Sequence, residues 1–257
     1  IISRDAARYE QDYERGVALY NLRRIRETTR HGTKITFKPD PQIFQVTEFN
    51  YRLLSERLRE TAYLNPGLRI SLSDERIDRG DEFFFRNGIA DFVRLLNKNK
   101  AVLPDEPIHL LREPSDEEPL GIEIALQYAS YCSERVTSFA NYIKTIEGGT
   151  HATGFRAGLA RAIETHARLS DQSKRSTRSL NAEDVFEGLV AVVSVKLSQP
   201  QFSDWTRARL DSEITDQVEA FVSERLGQYF REHPSMAQKI VDKVVRAVCD
   251  ARRSETR

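Results

Sequence analysis

The chain mixes two hydrophobic periodicities, one of two residues and one of three to four. A period of two is typical of strands that bury one face, and a period near 3.6 is typical of amphipathic helices. Strand-like segments lie at 9–15, 34–37, 68–72, 82–85, 107–145 and 190–197. Helix-like segments lie at 47–62, 89–96, 212–231 and 235–252, and a further helix starts at Thr150. Because strands and helices do not alternate regularly, the pattern predicts an α+β chain.

A few positions set the expected boundaries of these elements. Thr47 is placed to cap the first helix, and Asn87-Gly88 is the candidate boundary between two domains. Residues 20–38 carry six basic side chains against one acid, which indicates a basic loop. The polar and basic segment 170–179 predicts a mobile loop. Residues 190–197 are apolar on both faces, which is typical of a central strand.

Composition narrows the class of protein without identifying it. The 257 residues are 39% hydrophobic and 30% charged, enough to form a sizeable core beneath a well-solvated surface. Basic and acidic residues both number 39, so the zero net charge argues against a non-specific polycation but leaves room for a local basic surface. Only nine of the basic residues are lysines. The arginine bias suits bidentate contacts with phosphate or carboxylate, although a GC-rich genome would produce the same bias.

The cysteines, the apolar runs and the first residues give expectations about compartment. Cys132 and Cys249 are far apart and have no ligand spacing, which favours free thiols in a cytosolic protein over a disulfide. The sequence contains no run of 18 consecutive apolar residues, so it predicts no transmembrane helix. The chain begins Ile-Ile, without an initiator Met or a signal-peptide pattern, so we expect a fragment or a trimmed chain.

The segment Gly148-Gly149-Thr150-His151 precedes a predicted helix and has two interpretations. Free N–H groups and the helix dipole there would hold an anion, with the glycines allowing close approach. The alternative is a tight turn with Thr150 as the helix cap. His151 has the chemistry of a general base, but no nucleophile pattern accompanies it. The remaining histidines lack metal-ligand spacing and are expected to be structural or exposed: His31, His109, His166 and His233.

Two other features have both a functional and a structural interpretation. Arg156 and Arg161 lie five residues apart on the predicted helix, where they would face a polyanion or simply solvent. Trp205, the only tryptophan, lies between a strand and a helix, in a segment suited to ligand contact or to plugging an apolar gap. Walker A and GxGxxG motifs are both absent from the sequence. The residues by themselves therefore indicate an α+β protein with a candidate anion site.

A series of collinear motifs resembles the gyrase B and topoisomerase IV B family, the ATPase subunits of bacterial type IIA topoisomerases. The central motif is Glu147-Gly148-Gly149-Thr150-His151-Ala152-Thr153-Gly154-Phe155-Arg156. Upstream motifs lie at 32–40, 58–67, 96–100, 124–127 and 138–141, and downstream motifs at 183–189 and 191–196. These motifs are collinear over nearly the whole chain.

The resemblance implies a fold and a division into domains. Residues 1–87 would be the end of a GHKL-type ATPase domain, and 88–257 a transducer domain with a ribosomal-protein-S5-like fold and long C-terminal helices. The family's catalytic Glu, its Mg²⁺-binding Asn and its adenine-binding Asp would precede residue 1. ATP and Mg²⁺ would thus be cofactors of the parent protein, and this chain alone should not hydrolyse ATP.

The resemblance also assigns roles to individual residues. Thr33 matches the family's threonine near the adenine. Trp205, Thr206 and Arg207 take the place of a Gln-Thr-Lys loop whose lysine contacts the γ-phosphate, so Arg207 would serve as the cation there. Trp205 departs from the pattern because it cannot replace the amide hydrogen bonds of Gln. Arg156 and Arg161 would face the cavity through which DNA passes, and their phosphate contacts would be salt-sensitive.

The partners implied are double-stranded DNA, a gyrase-A-type protein in a heterotetramer, and a second gyrase-B-type protein on ATP binding. The protein would lie in the cytoplasm with the nucleoid and not in a membrane, and this fragment alone would be a monomer or a weak dimer. The implied function is coupling of ATP binding and hydrolysis to dimer-gate closure and DNA strand passage. One alternative is a divergent paralogue that acts as a DNA-binding or regulatory module, with a weakened or absent ATPase switch. A small-molecule kinase with the same S5-like fold fits the motifs less well.

Overall fold

The computed structural model describes residues 1–130, 133–169 and 185–255, with side chains to residue 244. Strands and helices both occur, which confirms the predicted α+β class. The chain forms two compact units, Ile1–Leu54 and Ser55–Arg257. Cys132, the side chain of Cys249 and the predicted loop 170–179 lie outside the described residues, so the expectations about them stay predictions.

The first unit contains six short strands: β1 Ile2–Arg4, β2 Ala7–Glu10, β3 Tyr13–Glu14, β4 Val17–Ala18, β5 Arg23–Glu27 and β6 Gly32–Thr33. Four of them form a sheet in the order β5-β2-β1-β6, and β3 and β4 form a short separate hairpin. The basic segment 20–38 is therefore not simply a loop, because it contributes β5 and β6. Strand β5 pairs antiparallel with β2, and its five residues are all exposed.

The strand predicted over 34–37 is wrong. Pairing with the first strand ends at Lys34, whose amide donates to the Ile1 carbonyl at 2.8 Å. Ile35 and Phe37 are 80% and 70% exposed. An alternating pattern describes which side chains would share a face, but an extended segment becomes a strand only beside a hydrogen-bonding partner.

Helix α1, Tyr51–Tyr63, starts later than the pattern predicted. The Oδ1 atom of Asn50 accepts the Leu53 amide at 3.1 Å, so Asn50 supplies the cap that was assigned to Thr47. Both residue types accept such a bond, and the one whose side chain reaches the free N–H groups of the first turn becomes the cap.

The second unit is built on a five-stranded sheet in the order β12-β11-β13-β10-β9. A hairpin of β7 Ile70–Asp74 and β8 Arg79–Phe83 comes first, followed by helix α2 Ile89–Leu96. The sheet strands are β9 Val102–Arg112, β10 Gly121–Ala129, β11 Arg135–Ala140, β12 Ile143–Lys144 and β13 Leu189–Lys196. Strand β13 runs parallel to β11 and antiparallel to β10, and seven of its eight residues are buried, which confirms the predicted central strand.

Helices cover both faces of this sheet. On one face lie α3 Thr150–Leu169, α4 Thr215–Glu232 and α5 Pro234–Glu255, and their apolar side chains share a large core with the sheet. On the other face α2 packs with Tyr63 and Leu64 against β10 and β13. The predicted helix start at Thr150 is confirmed.

The predicted domain boundary at Asn87-Gly88 lies within the second unit. Tyr63 stacks on Phe85 at 3.6 Å and on Phe92 at 4.7 Å between ring centroids, so residues on both sides of that position share one aromatic cluster. A sequence boundary marked by turn residues does not require a break in the core. The division at 87/88 stays a prediction.

Three of the sequence motifs form internal hydrogen bonds of the second unit. Asn97 is buried and donates to the Gln127 side chain at 3.1 Å, and Gln127 donates to the carbonyls of Pro104 and Asp105 at 3.0 Å. Asn141 donates to the Leu197 carbonyl at 2.7 Å and accepts its amide at 2.8 Å. These polar residues therefore stabilise strand connections in the core.

Candidate functional site

The segment 201–211 forms a small hairpin loop between β13 and α4. Its two sides are joined by a hydrogen bond from the Ser203 amide to the Arg209 carbonyl at 3.2 Å and by another from the Asp211 amide to the Gln201 carbonyl at 2.9 Å. Phe202 and Leu210 also form a β-bridge across it. The tip, residues 204–207, therefore stands on a base with a defined backbone.

The tip is closed by the side chain and carbonyl of Asp204. Its Oδ1 atom accepts both the Thr206 hydroxyl and the Thr206 amide, the latter at 2.8 Å, and its carbonyl accepts the Arg207 amide at 3.2 Å. These hydrogen bonds, the one from the Thr206 hydroxyl first, lower the pKa of Asp204 below its usual value. Arg207 has a φ of 59°, an αL conformation that a non-glycine residue holds at some cost.

The loop presents an indole and a guanidinium to solvent. Trp205 is 91% exposed, so the structure does not support the interpretation of this residue as a plug for an apolar gap. Arg207 is exposed, its guanidinium carbon lies 5.9 Å from the Phe202 ring centroid, and no carboxylate pairs with it among the described residues. The neighbouring Arg209 instead pairs with Asp211 at 3.3 Å. Arg207 is thus a cation held on an ordered loop and available to a ligand.

The base of the loop is docked on the turn before α3. Leu210 donates its amide to the Gly148 carbonyl at 3.1 Å and accepts the Thr150 amide at 3.1 Å, and the Glu147 amide donates to the Ala208 carbonyl at 3.0 Å. A Cβ on Gly149, whose φ is 131°, would lie 2.2 Å from the Leu210 carbonyl oxygen. The glycine is therefore required by the approach of another backbone segment.

This docking decides between the two interpretations of the glycine pair. The Thr150 amide, needed for an anion site, already donates to Leu210, so the tight-turn interpretation is confirmed and the anion site is not supported. The proposed cap is wrong in detail, because the Thr150 hydroxyl donates to the Ser212 carbonyl at 2.6 Å rather than to its own helix. A pattern of two glycines indicates close approach but does not say what approaches.

His151 lies in the core and not in a catalytic site. It is fully buried, and its Nε2 lies 3.1 Å from the Thr145 hydroxyl, which in turn lies 2.7 Å from the Ser138 hydroxyl. Burial lowers the pKa of His151 to about 4. The imidazole is neutral at pH 7 and cannot reach a substrate.

We expect this histidine to make folding sensitive to acid. The unfolded chain takes up a proton near pH 6.5 and the folded chain only near pH 4, so stability is lost as the pH falls through that range. The free energy of unfolding should drop by about 2 kcal/mol between pH 7.5 and pH 5 from this group alone. Urea unfolding at several pH values measures it, with His151→Gln as the non-titrating comparison. Equal pH dependence in both proteins would contradict the assignment.

Arg156 and Arg161 lie on α3 and both have acidic partners. Arg156 pairs with Glu134 and lies 4.7 Å from the Phe186 ring centroid, and Arg161 pairs with Glu219 on α4 at 3.2 Å. Their side chains remain 41% and 67% exposed. A polyanion would have to compete with these carboxylates, and the DNA-facing role of both arginines stays a prediction.

The loop 201–211 belongs to the second unit, whereas Thr33 is the last residue of strand β6 in the first unit. Its backbone pairs with Ile2 and its side chain is exposed. It borders a cavity of about 420 Å³ within the first unit. The other lining residues are Ile1, Ile2, Tyr9, Glu10, Gln11, Asp12, Tyr13, Leu22, Lys34, Ile35 and Thr36. The cavity gives the predicted adenine-side threonine a concave surface.

Neither a metal cluster nor a membrane-spanning helix occurs in the described ranges. No group of three His, Cys, Asp or Glu side chains there is close enough to hold a metal ion. Instead, His109 pairs with Glu123 at 3.0 Å across β9 and β10. Of the described helices, none combines the length and apolar character needed to span a bilayer.

Comparisons with known proteins agree with one another. A family model described as DNA gyrase B matches residues 88–257. The DNA gyrase B protein of Clostridium acetobutylicum is 44% identical over 238 residues, which cover 92% of this chain and 37% of that protein. The corresponding protein of Halalkalibacterium halodurans is 42% identical over 245 residues, covering 94% and 38%. This chain therefore spans less than half the length of these curated relatives.

Solved structures extend the similarity to both units. The 43K ATPase domain of Thermus thermophilus gyrase B, in complex with an aminocoumarin, has a TM-score of 0.85 at 30% identity and covers 99% of this chain and 69% of that one. The topoisomerase IV ATP-binding domain of Francisella tularensis, in complex with a small-molecule inhibitor, has a TM-score of 0.81 at 26% identity and covers 97% and 68%.

Proposed function

Because this chain belongs to the DNA gyrase B family, we propose that it is the segment of an ATP-dependent topoisomerase that couples nucleotide state to DNA strand passage. In this proposal ATP binding closes a dimer of gyrase-B-type proteins, and loss of the γ-phosphate releases the loop 201–211. The chain would hold the end of the ATPase domain and a transducer domain, with a boundary near residue 87. A gyrase-A-type partner and duplex DNA would complete the assembly in the cytoplasm, at the nucleoid.

The observation that carries the proposal is the exposed guanidinium of Arg207 on an ordered loop, where no described carboxylate pairs with it. A guanidinium offers a planar fork of donors that matches two phosphate oxygens, and it keeps its charge at any physiological pH. Placed against the γ-phosphate, it would stabilise the charge that builds on the transferred phosphoryl group. It would also report whether that group is present, because its charge is not neutralised by an acid within the described part of the chain.

The remaining nucleotide contacts are proposed from the resemblance of the motifs to the gyrase B family. Thr33 would contact the adenine side from the cavity of the first unit, and Trp205 and Thr206 would flank the phosphates beside Arg207. From the resemblance to the family, Mg²⁺ would be held by an asparagine in another part of the parent protein. When ATP is bound, cleavage of its phosphoanhydride would drive the cycle of dimer closure and opening. This chain alone is expected to lack turnover.

Arg156 and Arg161 would contact DNA phosphates once displaced from their carboxylate partners. Their ion pairs are partly exposed, so each contributes little to stability and is readily exchanged for another anion. Such contacts would be independent of sequence and weakened by salt.

A second candidate function rests on Trp205. An indole offers a single N–H donor and no acceptor, so it cannot reproduce the hydrogen bonds of an amide at this position. A protein that keeps the fold and binds DNA, but has a weakened or lost ATPase switch, is consistent with this residue. The two candidates differ in whether nucleotide turnover responds to DNA.

Steady-state ATP turnover of the full-length protein, with and without linear DNA, tests the proposal. Turnover that DNA stimulates is the expected result and would make Trp205 a tolerated variant of the loop. A folded protein that binds DNA but does not turn over ATP would reject the enzymatic proposal in favour of the second candidate.

A further inference from the structure

Thr150 connects three elements through its own polar atoms. Its amide donates to the Leu210 carbonyl at 3.1 Å, and its hydroxyl donates to the Ser212 carbonyl at 2.6 Å. Its carbonyl accepts the hydroxyl of Thr215, the first residue of α4, at 3.3 Å. The first residue of α3 is thus bonded to the loop, to the segment after it and to α4.

Beyond Thr150, helices α3 and α4 are packed too closely to slide past each other. A Cβ on Gly154 would lie 2.4 Å from the Thr215 carbonyl oxygen, and one on Gly158 would lie 2.7 Å from the Glu219 carbonyl oxygen. Such contact leaves no gap in which α3 and α4 could shift independently, because packed interfaces transmit displacement rather than absorb it. Arg161 and Glu219 join the same two helices at the surface.

We propose that Thr150 is a positioning residue whose hydroxyl transmits the position of the loop tip to helices α3 and α4. Arg207 lies at one end of this path, and Arg156 and Arg161 lie at the other. The inference rests on the proposed function, in which the tip contacts nucleotide and α3 contacts DNA. Thr150 would be the residue through which the nucleotide contact of the loop tip alters the DNA contact of α3.

The side-chain bond of Thr150 is the part of the junction that can be removed without changing the backbone. Thr150→Val keeps the shape and the β-branch but leaves the Ser212 carbonyl without this donor. The backbone bonds to Leu210 remain, so the loop stays docked. Thr150→Ser keeps the donor. Thr153 is a matched control on the same helix, since its hydroxyl donates to the Gly149 carbonyl at 3.2 Å, one turn earlier.

The experiment measures coupling in the full-length protein assembled with its gyrase-A-type partner. The dissociation constant of a non-hydrolysable ATP analogue is measured with and without a linear duplex, and the ratio of the two values is the coupling factor. We expect Thr150→Val to reduce this factor about fivefold, the loss of one neutral hydrogen bond, through a weaker analogue affinity in the presence of DNA. The affinity for each ligand in the absence of the other should be nearly unchanged. Thr150→Ser and Thr153→Val should keep the factor of the unchanged protein.

The outcomes separate the inference from the function on which it rests. Unchanged coupling in Thr150→Val, equal loss in Thr153→Val, or loss in Thr150→Ser would each overturn the positioning role while leaving the proposed function intact. An unsubstituted protein in which DNA does not alter analogue affinity would refute the coupling function itself, and the inference with it. Selective loss in Thr150→Val, restored by serine, supports both.

Discussion

Replacing Gly149 by alanine should destabilise the chain by about 3 kcal/mol or more. The new Cβ would lie 2.2 Å from the carbonyl oxygen and 2.6 Å from the amide nitrogen of Leu210, and both are backbone atoms that cannot rotate away. The φ of 131° adds strain, because an L side chain rarely adopts it. Urea unfolding monitored by circular dichroism measures the loss.

Gly227 provides the matched control for this prediction. It lies within α4, where a Cβ would meet only the flexible end of Arg231 at 3.6 Å. Gly227→Ala should therefore be neutral or stabilising by up to about 1 kcal/mol. If Gly149→Ala were as stable as Gly227→Ala, the loop could not be docked on the turn as described.

In Gly149→Ala, the loop 201–211 is expected to unfold before the rest of the second unit. The hydrogen bonds at risk join Leu210 to Gly148 and Thr150, so the first consequence should be release of the loop 201–211. Trp205 is the only tryptophan and is exposed, so its fluorescence anisotropy reports on the mobility of this loop alone. A loop released at lower urea than the sheet would show that docking is a separate, weaker unit of stability.

Replacing Arg207 by alanine in the full-length protein should reduce ATP turnover about a hundredfold, the typical cost of losing one oriented group at a developing charge. The reason is that its guanidinium is the cation proposed to meet the γ-phosphate, and no acid neutralises it among the described residues. The loop should remain folded, since Arg207 contributes only its amide to the turn that Asp204 closes. Steady-state turnover at saturating ATP measures the effect.

Two further variants test the position of the arginine and the relative weight of charge and geometry. Arg209→Ala removes a neighbouring arginine that pairs with Asp211, so turnover should change less than about threefold. Arg207→Lys keeps the charge but not the planar fork, and recovery of most of the turnover would show that charge dominates over bidentate geometry. Turnover and nucleotide-driven dimerisation that are unchanged in Arg207→Ala would reject the γ-phosphate role.

Local elements of the second unit could be predicted well from the pattern of apolar residues. The helix over 89–96 and the start of α3 at Thr150 agree with the structure, and the central strand differs by one residue at each end. The two helices have an amphipathic period and the central strand is an unbroken apolar run, and each is covered by other parts of the fold. A buried face imposes the periodicity by which an element is recognised, so sequence alone is sufficient where burial is continuous.

The apolar pattern does not predict structure that depends on a neighbouring segment. The period-two segment at 34–37 does not continue a strand in the described structure, and Asn50 rather than Thr47 reaches the first turn of α1. Both errors concern hydrogen bonds between groups whose separation depends on the path of the backbone. Residue type states what a group can bond to, and not what lies within about 3 Å of it.

The sequence predicted the residues of the candidate site but not their long-range partners. Motifs that resemble the gyrase B family, together with the lone tryptophan and its neighbouring arginine, already marked the loop at 205–207. That Gly149 serves Leu210, that Thr150 bonds to Ser212, and that Arg161 pairs with Glu219 came from the folded chain, because these partners lie about 60 residues apart in sequence. Periodicity and composition act over a few neighbouring residues, whereas long-range contacts exist only once the topology of the sheet and helices brings distant segments together.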